Sequence, residues 1–110
     1  MKSEIKARME AADITEGSEK QIKWANDIKK SMKRTCYELF AENKAYKDNK
    51  EAAENMGGLL AAIIMENNKH ASYYIDNRVA FGWHKERSFR AIVAETLQNY
   101  GAEKFQAEAM

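Results

Sequence analysis

Proline is absent from this chain and glycine occurs only five times, so little in the sequence forces a regular helix to break. No stretch alternates apolar and polar residues over the length a strand needs, no segment is low in complexity, and no internal repeat aligns. The longest uncharged run, Asn55 to Met65, is far shorter than the ~20 residues of a membrane-spanning helix, and the chain does not open on a basic, apolar, small-residue leader pattern. The expectation is a protein with no membrane partner that is not exported. A single cysteine, Cys36, excludes an internal disulfide, and its place on an apolar helix arc makes it a buried small hydrophobe rather than a reactive thiol. A reducing cytoplasm fits that usage. Histidine is equally scarce: His70 and His84 are the only two.

What is present is globular in balance. Apolar residues make up 45% of the 110 and charged residues 32%, enough hydrophobic content for a core and too much for a disordered chain. One domain spanning 1–110 is expected, with a radius of gyration of roughly 13 Å.

Helical periodicity accounts for most of it. From Gly17 to Phe40, the residues Ile22, Ala25, Ile28, Met32, Cys36, Leu39 and Phe40 gather on one arc at 100° per residue, with Trp24 at its edge. Ser18 followed three positions later by Gln21 reads as a capping box, which starts the main helix at Glu19 and carries it to about residue 42. Asp48 with Glu51 reads as a second box, opening a helix near Asn49 whose later half is apolar all round and therefore central. Gly57 and Gly58 inside it mark a kink or the close approach of another helix. Lys69 to Arg78 makes a shorter helix. A final strong one carries Phe89, Ile92, Val93, Thr96, Leu97 and Tyr100 and closes at Gly101. The ends are weaker: residues 1–16 carry a thin stripe that predicts a frayed helix, and 102–110 form a tail anchored by Phe105 alone. The fold class expected is all-α, a compact bundle of about four to five helices without a sheet.

Catalytic constellations are missing. No glycine-rich phosphate loop, zinc spacing or nucleophile elbow occurs. Glu66 and His70 are one helical turn apart, but a stable metal site wants three or four ligands, so no metal and no cofactor are expected. His84, beside Trp83 and before Lys85 and Arg87, reads as a surface histidine. The chain is read as a non-enzyme.

Charge is segmented although the total is only +1. Residues 20–50 carry nine basic and four acidic side chains, and residues 78–90 carry four and one; the blocks before, between and after them are each net acidic. Either the blocks complement one another across packed helices, or the two basic ones assemble a binding surface. On the second reading the candidate residues are Lys23, Lys30, Lys33 and Arg34 on the outward arc of the main helix, and Tyr73, Arg78, Trp83, Lys85, Arg87 and Arg90 downstream. Cations and aromatics in this mixture suit a nucleic-acid surface and equally the anchors of a protein interface. A pI near 7.8 lies well below the value above about 9 of a dedicated nucleic-acid domain. Composition leaves Tyr74, Phe81 and Trp83 open between core and interface.

At Gly17 to Lys29, the run GSEKQIKWANDIK resembles a motif that recurs near the start of many small uncharacterised proteins of bacterial phages and mobile elements, Gly-Ser/Thr-Glu-Lys-Gln-Ile/Val-x-Trp-Ala. Tyr73 to Arg78, YYIDNR, resembles a second piece recurrent in such proteins. The two pieces cover under a fifth of the chain. What the resemblance implies is a setting rather than an activity: a protein in the cytoplasm of a bacterial host that binds and blocks a host protein or ribonucleoprotein, as anti-CRISPR inhibitors of defence nucleases do. Nucleic acid is the alternative partner, and a homodimer is the competing use of the same surface.

Overall fold

The computed structural model describes residues Met1–Met110. Six α-helices follow one another as α1 (Ser3–Ala11), α2 (Glu19–Ala41), α3 (Lys50–Asn67), α4 (Ala71–Asp76), α5 (Arg87–Tyr100) and α6 (Ala102–Ala109), with 3₁₀ turns at Lys44–Tyr46 and Ala80–Gly82. The protein is all-α. One isolated bridge, Glu16 with His70, pins the loop before α2 to the loop before α4.

Local signals set most helix starts. The Ser18 hydroxyl accepts from the Gln21 amide and the Gln21 side chain accepts from the Ser18 amide, which closes the expected capping box at the start of α2. Ser18→Ala is therefore expected to cost ~1 kcal/mol with the fold retained. An unchanged urea midpoint would show that the cap contributes nothing. At α3 the cap lies one residue later than the Asp48–Glu51 spacing predicts: Asn49 accepts from the Ala52 amide. The preceding 3₁₀ turn shifts it, because the Asn49 amide is bonded to the Tyr46 carbonyl and Asp48 is spent within the turn.

α3 is the central element. Every residue from Asn55 to Met65 is buried, and α1, α2, α5 and α6 all pack on it. That is the same uncharged run which is too short for a membrane, and no helix of the structure is long and apolar enough to cross one. Tyr74, Phe81 and Phe89 are fully buried and meet in sequence, with Tyr74 to Phe81 at 6.1 Å and Phe81 to Phe89 at 6.4 Å between ring centroids. Two of the three aromatics that composition left open are thus core. The radius of gyration is 13.3 Å.

Both ends are docked. Ile5 enters the core, and the Lys2 amide donates to the buried Asn55 side chain at 2.7 Å. Residues 102–110, expected as a tail, turn back at Gly101, whose φ of +99° suits glycine, and bury Phe105 and Ala109. Arg8 then joins four helices: it makes a two-pronged bond to Glu66 at 2.7 and 2.9 Å and reaches Glu108 at 2.9 Å, while the Tyr100 hydroxyl donates to Glu108. The Tyr100 bond, with Arg8 beside it, holds the Glu108 carboxyl below the usual carboxylate range.

Stability should fall in alkali. Burial pushes the Cys36 thiol and the Tyr74 phenol well up, and raises Tyr73 to about 12. The unfolded chain releases these protons from about pH 9 to 10 whereas the native state keeps them, so the native state binds more protons and ΔG of unfolding decreases as pH rises. Urea titrations at neutral pH and near pH 11 should show a clearly lower midpoint in alkali; equal midpoints would place these groups in water.

Candidate functional site

α2 and the segment Arg78–His84 run side by side and are joined at three levels. At the first, the Arg78 guanidinium lies over the Trp24 ring, 5.5 Å from its centroid. At the second, Ser31 and Thr35 each donate a hydroxyl to the Phe81 carbonyl at 2.8 Å, so both lone pairs of one backbone oxygen are engaged. At the third, His84 Nε2 is 2.6 Å from Glu42 and Nδ1 is 3.5 Å from Glu38. Trp24, Ser31 and Glu38 recur every seven residues and so share one helix edge, which gives the seam a length of ~20 Å.

Large apolar side chains surface along this seam. Trp24 is 48% exposed, Val79 69% and Trp83 54%, and the other exposed large hydrophobics are the terminal Met1 and Met110. Apolar surface concentrated on one face of an otherwise closed core is the usual mark of an interaction site.

The two basic blocks meet on the same side. Lys30 pairs weakly with Asp27 at 3.9 Å and Arg34 with Glu38 at 3.9 Å, both within the α2 block. No lysine or arginine of either basic block forms an ion pair with an acidic block; the acidic blocks are served by Arg8 and the chain's own amino terminus. Direct ion pairing between packed helices therefore does not account for the segmented charge. Half-buried Lys29, on the Lys33 flank of α2, has its ammonium held below the usual lysine range by burial and then by Lys33.

The expected site residues divide. Arg78 and Trp83 lie on the segment side of the seam and Arg34 on the α2 side, against Ser31 and Glu38, while Lys23 and Lys30 are exposed on α2 one position before Trp24 and Ser31. Lys85 and Arg90 lie at the far end of the seam, lining a cavity of about 530 Å³ with Leu39, Glu42, Asn43, His84, Val93 and Ala94. Arg87 is exposed at the first residue of α5. Lys33 lies in a groove with Met1, Met9 and Lys50 that Arg34 also borders, on the side of α2 away from the seam. Tyr73 also leaves the set: its ring is half-buried 5.2 Å from Tyr74 and 5.9 Å from Phe81, beside a different cavity with Asn77 and Glu95. Two residues join the face that pattern reading did not assign to it, Trp24 and Val79. The signal for Trp24 was its position at the edge of the apolar arc. Val79 had none.

His84 corrects an expectation: it is buried, with the carboxylates of Glu38 and Glu42, one turn apart on α2, beside its two ring nitrogens. Glu66 is bonded to Arg8, and His70 accepts from the Ser72 amide as the cap of α4, so the two do not face a common ion. No group of three or more histidines, cysteines or acids is placed to hold a metal. Comparison of the chain with protein families, curated proteins and solved structures finds no match.

Proposed function

We propose that this chain is a non-enzymatic binding protein that docks on a partner protein through the Trp24–Trp83 face. The observation that carries the reading is the coincidence on one seam of Trp24 and Trp83, both about half exposed, with Arg34 and Arg78, tryptophan and arginine being residue types that dominate interface hot spots, and with exposed Val79 beside them. A protein suits the face better than a nucleic acid. Asp27 and Glu38 sit among its cations and would repel phosphates, and one side of the Trp24 ring is already covered by Arg78, which leaves less of it for a base to stack on. Within this reading the resemblance of Gly17–Ala25 and Tyr73–Arg78 supports a phage or mobile-element protein that acts on host machinery in the bacterial cytoplasm, as an inhibitor of a defence nuclease of the anti-CRISPR kind.

The test is affinity capture from bacterial lysate followed by mass spectrometry, run in parallel with the Trp24→Ala/Trp83→Ala double variant, with light scattering for self-association. A host protein or ribonucleoprotein held by the native chain and lost by the variant is expected. Equal capture by both would contradict the assignment of the face, and a clean dimer without a partner would give the face to self-association. Gel-shift titration with single- and double-stranded DNA and RNA at low salt should show no complex at micromolar protein.

A further inference from the structure

The cavity at the His84 end of the face is lined by unlike groups: Leu39, Val93 and Ala94 are apolar, and Lys85 and Arg90 bring two cations. Glu42, 2.6 Å from His84 Nε2, also borders it, so two cations stand against one carboxylate. Lys85 and Arg90 have no ion pair within the chain.

We propose that this cavity receives an acidic segment of the partner protein, with a carboxylate between Lys85 and Arg90 and a neighbouring apolar side chain against Leu39, Val93 and Ala94. The proposal rests on the docking reading above and names the chemistry of the partner. Its volume, about 530 Å³, falls within the range of ligand sites and has room for both groups.

The first turn of α5 adds an independent reason. It holds Arg87 and Arg90, contains no acidic residue, and is preceded by Glu86, whose side chain makes no capping bond. Cations at a helix N-terminus oppose the helix dipole, and the single Glu86 carboxylate stands against two of them, so an anion from outside is favoured there. The excess of cations over carboxylate thus selects an acidic occupant, and the apolar lining selects a protein over a bare polyanion, because a phosphate backbone would leave Leu39 and Val93 uncovered.

The probe is a random glutamate–tyrosine copolymer, compared with polyglutamate and with oligothymidylate. Binding is measured by calorimetry at low and moderate salt, and by NMR of the Leu39 and Val93 methyl groups and the Trp83 indole. The copolymer should bind, weaken with salt and move those signals. Arg90→Glu and Lys85→Glu should each weaken it ~10-fold, whereas Arg90→Lys should retain most of the affinity. Both side chains are exposed, and unchanged circular dichroism confirms that the variants fold. Absence of binding, equal affinity for polyglutamate, equal affinity for oligothymidylate, or indifference to Arg90→Glu would each overturn the proposal. A captured host partner that is lost with the two tryptophans but unaffected by Arg90→Glu would remove the cavity and leave the docking face standing.

Discussion

Gly57→Ala is expected to destabilise the protein by about 3 kcal/mol, at the upper end of the usual range for overpacking. An added Cβ would lie 2.6 Å from the Tyr37 Cα, 2.9 Å from its nitrogen and 3.0 Å from the Cys36 carbonyl oxygen. All three are backbone atoms of α2, so no rotamer change relieves the clash and the two central helices must separate. The gain of about 1 kcal/mol in helix propensity offsets only part of this. For a domain of this size the melting temperature should drop by on the order of 10–20 °C. Gly58→Ala is the control in the next position. Its Cβ would meet the Met1 side chain at 2.9 and 3.0 Å and Ile5 Cγ2 at 3.1 Å, and the flexible end of Met1 can move. A near-neutral Gly58 variant beside a severely destabilised Gly57 variant is the expected pair. Similar effects at both positions would mean that α2 and α3 do not approach at Gly57.

Trp24→Ala and Trp83→Ala should each weaken partner binding by about 30-fold or more, as truncation of an interface anchor does at ~2 kcal/mol. Their effect on stability should be small, because both indoles are about half exposed and neither belongs to the buried core. Trp24→Ala loses the contact with Arg78, worth ~0.5–1 kcal/mol at an exposed site, and the packing of the covered half of its ring. This separation of binding from stability distinguishes a docking face from ordinary packing. Denaturation midpoints and calorimetric affinities on the same protein samples measure both. A large loss of stability with unchanged binding would make the tryptophans structural.

Much of the fold was legible because its signals are local. Ser18 and Gln21 are three residues apart and close one box; Asn55 to Met65 carries no charge and is buried throughout; Gly101 marks the turn it makes. The proposed docking face was less legible, since it depends on which edge of α2 the Arg78–His84 segment follows. That choice is made by Ser31 and Thr35 bonding to a backbone carbonyl at Phe81, and a backbone acceptor leaves no trace in side-chain pattern. The same docking buries His84 against Glu38 and Glu42 and leaves Trp83 outside. Lys33 shows a different limit. It neighbours Arg34 in sequence, but successive helical residues differ by 100°, so Lys33 turns toward the groove beside Met1 and Met9 while Arg34 reaches both that groove and the seam.

Photocrosslinking tests the central claim most directly. A benzophenone amino acid is placed in turn at Trp24, Val79 and Trp83, and as controls at Lys6 on α1 and Glu103 on α6, both exposed and away from the seam. After irradiation in bacterial cells that express the protein, the three seam positions should yield one common crosslinked protein and the two controls should not. Crosslinks that arise from Lys6 or Glu103 while all three seam positions remain silent would contradict the account.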